Sequence, residues 1–376
     1  MSNCNLNIIA DENMIGVSEL FKRFGIISFL PGRDITTEDL KSADVLLVRS
    51  VTRVNKDLLE GTSVRFVGSA TIGVDHVDQT YLKHAGIRFV HAPGCNAAAV
   101  VQYVLSAVCQ LCPGWEASTV GIVGCGNVGN LLRKILLSLN VKCRVYDPFI
   151  SSLDGGRLST LDEVIESDIV TVHTPLTFDG PHPTQKMISH NVLKLMKDDA
   201  LLINSGRGEV IDAEALLGRL QSGRPLKVAL DVWQSEPNID TQLMELINIA
   251  TPHIAGYSID GKRAGTDMIY KGFLSWMGLS TNGNYVDFEL RSIYLDGVSK
   301  LDDFILKCYD IEKDDKAMRS LVKEFSAASR PVAEAFDQLR RFYPERRDFR
   351  GIKVSEDKDE MGKQLMRRIL ALGVSV

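Results

Sequence analysis

Three side chains in this sequence are of the types needed to oxidise a hydroxyl that sits beside a carboxylate. Arg207, in Asn204-Ser205-Gly206-Arg207-Gly208, offers a planar fork that can hold a carboxylate through two hydrogen bonds. His253, in Thr251-Pro252-His253-Ile254-Ala255-Gly256, belongs to the residue type that titrates in the range a general base needs. Glu236, in Asp231-Val232-Trp233-Gln234-Ser235-Glu236-Pro237, can orient that imidazole and stabilise its protonated form. A cation, a base and a supporting carboxylate can take the proton from a 2-hydroxy acid, provided that something accepts the hydride.

The hydride acceptor is indicated by Gly124-Cys125-Gly126-Asn127-Val128-Gly129, a G-x-G-x-x-G. That pattern is weak by itself, because glycines are common in turns. Here it follows a β-rich run, Thr119–Val123, and opens a helical pattern of Val128, Leu131, Leu132, Ile135 and Leu136. A strand, a tight turn and a helix start give the close backbone approach and free N–H groups that a pyrophosphate requires. Asp147 ends the next β-rich run. A carboxylate there accepts hydrogen bonds from ribose hydroxyls and repels a 2′-phosphate, which favours NAD over NADP.

These groups need two sets of elements to position them. From Leu6 to His91, β-rich runs (Asn7–Ala10, Ile26–Leu30, Val45–Val48, Val64–Gly68, Ile87–His91) alternate with helical patterns such as Met14–Phe24 and Lys56–Leu59. That rhythm predicts parallel βα units covered on both faces. Asn96–Leu111 is apolar nearly all round and reads as a buried helix joining two domains. A second series has strand candidates at Thr119–Val123, Cys143–Tyr146, Ile169–His173, Leu201–Asn204, Val228–Val232 and Ile249–Thr251, which is enough for a dinucleotide-binding sheet. The three candidate catalytic groups follow the last three of these runs, where ligands bind in open α/β sheets. Gly261–Leu279 looks helical. From about Asn284 charge becomes dense, at Glu312–Lys316, Arg340–Arg350 and Glu356–Glu360, with a possible strand at Gly351–Val354, and this tail reads as a smaller third domain.

Bulk properties exclude several classes. A chain of 376 residues exceeds one ordinary core. A net charge of −5 argues against nucleic-acid binding, and no run approaches the roughly 20 apolar residues of a membrane helix. Met1–Ala10 does not read as a signal peptide, so the cytosol is the expected compartment. The seven cysteines include a C-x-x-C, Cys109 and Cys112, without a second ligand pair, and these read as small packed residues in a helix. Nothing points to a metal.

The motifs together resemble the D-isomer-specific 2-hydroxyacid dehydrogenase family over about residues 5 to 285. The resemblance implies an α/β fold in which a Rossmann NAD-binding domain (98–256) is inserted into a flavodoxin-like substrate domain (1–97 and 257–285). It implies Arg207, Glu236 and His253 as the catalytic groups. By the same carry-over Gly124, Gly126, Asn127, Val128, Gly129, Asp147, Thr174, Ser205, Arg207, Asp231 and Gly256 meet the cofactor, Asp231 through the nicotinamide carboxamide.

A narrower resemblance is to a branch of this family with a C-terminal α+β dimerisation domain (286–376), which general members lack. Val48-Arg49-Ser50-Val51-Thr52, Val67-Gly68-Ser69-Ala70-Thr71, His91-Ala92-Pro93-Gly94-Cys95-Asn96 and the tyrosine after Gly256 carry it. In the tail, Tyr309-Asp310-Ile311 with Asp314-Asp315, and Phe336-Asp337-Gln338-Leu339-Arg340 with Glu345-Arg346-Arg347, do the same. That branch implies a homodimer acting on a small phosphorylated hydroxy acid, 4-phospho-D-erythronate, in vitamin B6 synthesis. Ser50, Thr71 and Tyr257 would contact the substrate, and Arg49 and Lys262 are candidates for its phosphate. Arg346, Arg347 and Arg350 read as a solvated charged face rather than as an arm reaching a partner's cleft. Two alternatives stand beside this reading: another D-2-hydroxyacid dehydrogenase, such as one for D-3-phosphoglycerate, and a non-catalytic NAD-sensing protein.

Overall fold

The computed structural model describes residues 5–154, 156–282, 290–354 and 360–376. The change of character expected near residue 284 and most of the charged run 356–360 lie outside them. The chain divides into two compact units, residues 1–96 with 258–289, and residues 97–257 with 290–376.

The first unit is built on five parallel strands, β1 (Leu6–Asp11), β2 (Gly25–Leu30), β3 (Val45–Val48), β4 (Phe66–Ser69) and β5 (Arg88–His91). Their order is β2-β1-β3-β4-β5, the flavodoxin-like arrangement. β3 and β4 are buried at every residue, as expected of central strands covered on both faces. The helix expected over Met14–Phe24 forms only over Val17–Phe21, because Gly16 enters the left-handed region at φ 85° immediately before it. The chain returns to this unit as the helix Ile259–Trp276, whose first turn is capped by Ser258 accepting from the Gly261 N–H at 2.9 Å. Phe273 on that helix meets Phe24 and Phe66 edge-on, at 4.9 and 5.5 Å between ring centres. Such pairs each add about 0.5–1.5 kcal/mol beyond the area they bury.

The second unit carries six parallel strands, β6 (Thr119–Val123), β7 (Lys142–Tyr146), β8 (Ile169–Val172), β9 (Leu201–Asn204), β10 (Lys227–Leu230) and β11 (Ile249–Ala250). Their order is β11-β10-β9-β8-β6-β7, so the chain turns from one half of the sheet to the other beside β6. Three strands stop short of their expected ends at His173, Val232 and Thr251. His173, Asp231 and Thr251 still donate backbone N–H groups to the neighbouring strands, and their side chains bond within the turns described below.

The tail adds the helices Leu301–Cys308, Ile311–Ala327, Val332–Arg341 and Glu360–Leu370, and the parallel pair β12 (Arg291–Ile293) and β13 (Ile352–Val354). β13 lies where a strand was expected. β12 was not anticipated, since three residues with one buried apolar side chain show no readable alternation. The tail shares its core with the sheet. Phe304, Ile305 and Phe349 pack in one cluster with Tyr103, Val104 and Val108 of the helix Ala97–Leu111, and Met318, Phe325 and Phe336 join Val170, Leu202 and Val228. That helix, apolar on all sides in sequence, is accordingly buried along almost its whole length. Helix Ile311–Ala327 also covers the sheet edge. Asp315 accepts from the β11 N–H of Ala250 at 2.7 Å, and Arg319 donates to the carbonyls of Met244 and Ile247. Cys109 is buried within its helix, and burial raises the pKa of both Cys109 and Cys112, which keeps the thiols protonated. Among the described residues no helix is long and apolar enough to cross a membrane, and no cluster of His, Cys, Asp and Glu could hold a metal ion.

Candidate active site

The cofactor end of the second unit is shaped by its backbone. β6 ends at Val123, and Gly124 turns the chain at φ 91°, a conformation that L side chains rarely adopt. A Cβ on Gly129 would lie 2.0 Å from the Gly124 carbonyl oxygen, so only glycine lets the helix Asn127–Ser138 start this close to the strand. At Gly126 an added Cβ would meet nothing within 4 Å, which leaves the loop face open to a ligand. Asp147, just beyond β7, is drawn to the same loop. One carboxylate oxygen accepts from the Cys125 N–H at 2.8 Å and the other from the Phe149 N–H at 3.0 Å. Beyond β8 the Thr174 hydroxyl is buried without a hydrogen-bond partner among the described residues. Its neighbour His173 lies 2.9 Å from Thr171 Oγ1 and 3.3 Å from Ser205 Oγ, and loss of water pushes its pKa down to about 3, so the ring is neutral. An open glycine loop at a helix start, a carboxylate beside it and a buried hydroxyl awaiting a partner fit NAD.

The catalytic end is shaped by buried polar side chains. Arg207 follows β9, where Asn204, fully buried, accepts from the Gly206 N–H at 3.0 Å and donates to the Arg207 carbonyl at 2.9 Å. Both hydrogen bonds fix the turn that presents the guanidinium. Asp231, just beyond β10, is 1% exposed and faces inward. It accepts from the Thr251 hydroxyl at 2.7 Å, the Ile254 N–H at 2.8 Å and the Ala255 N–H at 2.9 Å, while its carbonyl accepts from the His253 N–H at 2.7 Å. His253 itself sits at φ 56°, a left-handed conformation uncommon for a non-glycine residue, and these four bonds hold it there. Glu236 accepts from the Trp233 N–H at 3.2 Å and pairs through its other oxygen with His253 Nδ1. Burial pushes the Glu236 carboxyl up. The hydrogen bond and charge of His253, the Trp233 N–H and the Arg340 charge outweigh that and hold it below the usual carboxylate value. With Nδ1 committed to Glu236, the ring presents Nε2 as its proton acceptor. The turns carrying Arg207, Glu236 and His253 leave the carboxyl ends of three adjacent strands.

The tail braces the catalytic end from behind. Arg346, expected on a solvated face, is 7% exposed: it donates to the carbonyls of Ala255 at 2.5 Å and Ala99 at 3.3 Å and lies 4.2 Å above the Tyr309 ring. Arg350 pairs with the buried Asp348 at 2.8 Å. For Arg346 and Arg350 that expectation is therefore corrected, because they satisfy buried carbonyls and a buried carboxylate that would otherwise be left unpaired. Asp314 accepts from the hydroxyls of Tyr309 at 2.6 Å and Tyr343 at 2.7 Å, and Tyr103 bonds to Thr251 Oγ1 at 2.9 Å. Arg340 donates to the Tyr257 hydroxyl at 3.3 Å. Sequence reasoning gave no role to Asn204, Thr251, Tyr103, Asp314 or Arg340. Tyr103 and Arg340 act through partners 148 and 83 residues away, while Asn204 acts within its own turn; the runs Tyr309–Asp315 and Phe336–Arg340 offered the only signals for Asp314 and Arg340.

In the first unit, Ser50 is exposed just beyond β3. Thr71 lies just beyond β4, 2.7 Å from Ser69 Oγ and donating to the Gly73 carbonyl at 2.8 Å. Ser69 in turn lies 2.9 Å from His76 Nε2. Arg49 and Lys262 belong to the same unit.

The family described as D-isomer specific 2-hydroxyacid dehydrogenase, NAD binding domain, matches residues 110–255, and a domain of unknown function, DUF3410, matches 288–369. The 3-phosphoglycerate dehydrogenase of Entamoeba histolytica, solved with NAD, superposes with a TM-score of 0.62 at 21% identity, over 76% of this chain and 99% of its own. The D-lactate dehydrogenase of Aquifex aeolicus, solved with NAD and lactic acid, gives 0.61 at 22%, over 72% and 96%. Fold and site together thus define an NAD-dependent oxidoreductase of the D-2-hydroxyacid dehydrogenase class. Relatives along the full length narrow the class. The erythronate-4-phosphate dehydrogenases of Teredinibacter turnerae and Marinobacter nauticus are 43% and 45% identical, over 99% and 92% of this chain and 99% and 94% of theirs. The chain belongs to the erythronate-4-phosphate dehydrogenase family.

Proposed function

We propose that this chain oxidises 4-phospho-D-erythronate to 2-oxo-3-hydroxy-4-phosphobutanoate, a step of pyridoxal 5′-phosphate (vitamin B6) biosynthesis. The observation that carries the reading is the Glu236–His253 pair, held at the carboxyl edge of the sheet that also bears the glycine loop. NAD, when bound, supplies the hydride acceptor. Gly124, Gly126, Asn127, Val128 and Gly129 would hold its pyrophosphate, Asp147 its ribose, and Thr174, Ser205, Arg207 and Gly256 would line the rest. Asp231 would meet the nicotinamide carboxamide, and its bonds to the Ile254 and Ala255 N–H groups also fix the segment 253–255. Ser50, Thr71 and Tyr257 are the substrate contacts of this reading.

Arg207 binds the C1 carboxylate and fixes C2. His253 Nε2 takes the C2 hydroxyl proton as the C2–H bond breaks, its electron pair leaving as hydride while a C2 carbonyl forms. Glu236 stabilises the imidazolium that results. The reading includes a cytoplasmic homodimer joined through the C-terminal segment, whose Tyr294 and Phe342 are 67% and 72% exposed and offer apolar surface for a second copy. Formation of reduced nicotinamide, followed by absorbance with a 2-oxo acid added to recycle cofactor, tests it. Higher kcat/KM for 4-phospho-D-erythronate than for D-3-phosphoglycerate or D-lactate supports the reading. Turnover of only the other acids points to another D-2-hydroxyacid dehydrogenase, and silence with all three points to an NAD sensor.

A further inference from the structure

We infer that Arg340, on the C-terminal segment, is a specificity-determining residue that binds the phosphate of the substrate. This deepens the reading above and rests on it. A 4-phospho 2-hydroxy acid carries an anion at each end, and Arg207 can neutralise only the carboxylate beside the reacting carbon. A second cation is needed within the same site.

Arg340 lies in the last turn of the helix Val332–Arg341, and its side chain reaches Tyr257 in the segment that follows His253. It donates to the Tyr257 hydroxyl at 3.3 Å, and its guanidinium carbon lies 5.9 Å from the ring centres of both Tyr257 and Phe336. Tyr257 is itself held edge-on by Tyr343 at 5.7 Å. Among the described residues no carboxylate stands at ion-pair distance from Arg340, although the charges of Glu236 and Asp231 are felt there. Glu236 already pairs with His253, and Asp231 is spent on the 253–255 segment.

A guanidinium carries five N–H donors, and the bond to Tyr257 uses one. Burial works against this cation, but Tyr257, Glu236 and Asp231 outweigh it and raise the pKa, so the guanidinium stays charged and keeps donors for an arriving anion. A phosphate dianion suits the planar fork, and the aromatic rings of Tyr257 and Phe336 keep that fork in one orientation. Tyr257, read from the sequence as a substrate contact, then presents its hydroxyl to the same phosphate. The site lies within the second unit, and its cation comes from a segment whose matching family is described only as a domain of unknown function.

The test uses Arg340→Met, which keeps the bulk and removes the charge, and Arg340→Lys, which keeps the charge and removes the fork. Loss of a charge-assisted contact should raise KM for 4-phospho-D-erythronate about 10- to 100-fold in Arg340→Met. The kcat should stay within a few-fold, and KM for unphosphorylated D-erythronate should be unchanged. Arg340→Lys should recover part of the loss. An unchanged KM for the phosphorylated acid overturns the assignment. Equal losses with both acids overturn it too, and make Arg340 a positioning residue for Tyr257. If Arg340→Met fails to fold, Arg340→Lys decides alone, by a rise in KM confined to the phosphorylated acid. Inorganic phosphate titrated into the NAD-loaded enzyme, followed by tryptophan fluorescence, separates this inference from the function. Should wild-type enzyme ignore 4-phospho-D-erythronate, the functional reading fails. The assignment of Arg340 as the anion site would still stand if phosphate bound wild type at least tenfold more tightly than Arg340→Met, and would fall if the two bound it equally.

Discussion

The two ends of one sheet are built in different ways. At the β6 end, backbone geometry makes the site: Gly124 turns, Gly129 lets helix and strand touch, and Gly126 leaves the surface open. At the β9–β11 end, buried polar side chains make it: Asn204 fixes the Arg207 turn, and Asp231 fixes the His253 turn with three accepted bonds. A cofactor needs a shape and a set of N–H groups. A proton transfer needs a ring held within a few tenths of an ångström, and side-chain bonds in a water-poor interior supply that restraint.

Three substitutions can break or sharpen that contrast. The largest effect is expected from His253→Ala, which removes the proposed base. Its kcat should fall by about 10²- to 10⁴-fold, with NAD affinity, read by fluorescence titration, nearly unchanged. Next comes Asp231→Asn, which turns an acceptor toward the Ala255 N–H into a donor. The buried clash should cost about 1–3 kcal/mol, measured by denaturant unfolding, and should lower kcat roughly tenfold by loosening the His253 turn. Retained stability and activity would mean that Asp231 does not hold that turn. The smallest effect is expected from Gly129→Ala, whose Cβ must displace the Gly124 carbonyl. NAD should bind about tenfold more weakly, with kcat at saturating NAD within two- to three-fold of wild type. A change in kcat instead would erase the distinction between the two ends.

The contrast also explains what could be read from the sequence. The glycine loop and Asp147 were legible because their chemistry needs residues close together in the chain, and local spacing shows it. Arg207, Glu236 and His253 could be proposed from the sequence because each follows a strand, and strand ends are where such sheets bind ligands. The braces were not. Tyr103 meets Thr251, Arg346 meets Ala255, and Arg340 meets Tyr257, pairs separated by 148, 91 and 83 residues. Nothing in a linear pattern links them. Arg346 was misread for the same reason, since a dense run of arginines looks solvated until the carbonyls and the Tyr309 ring around it are seen. Short strands such as β12 escape because their stability comes from their partner and from the core beneath, not from their own alternation.

The central claim is that Glu236 and His253 act as one acid–base unit. Its most direct test is kcat/KM for hydroxy-acid oxidation in wild type, Glu236→Gln, His253→Ala and the variant that carries both changes. Glu236, held below the usual carboxylate value, is the charge that the pair contributes. If the two side chains act as one unit, Glu236→Gln alone should lose about 10- to 100-fold, and almost nothing further once His253 is gone. Losses that multiply in the double variant would contradict the account.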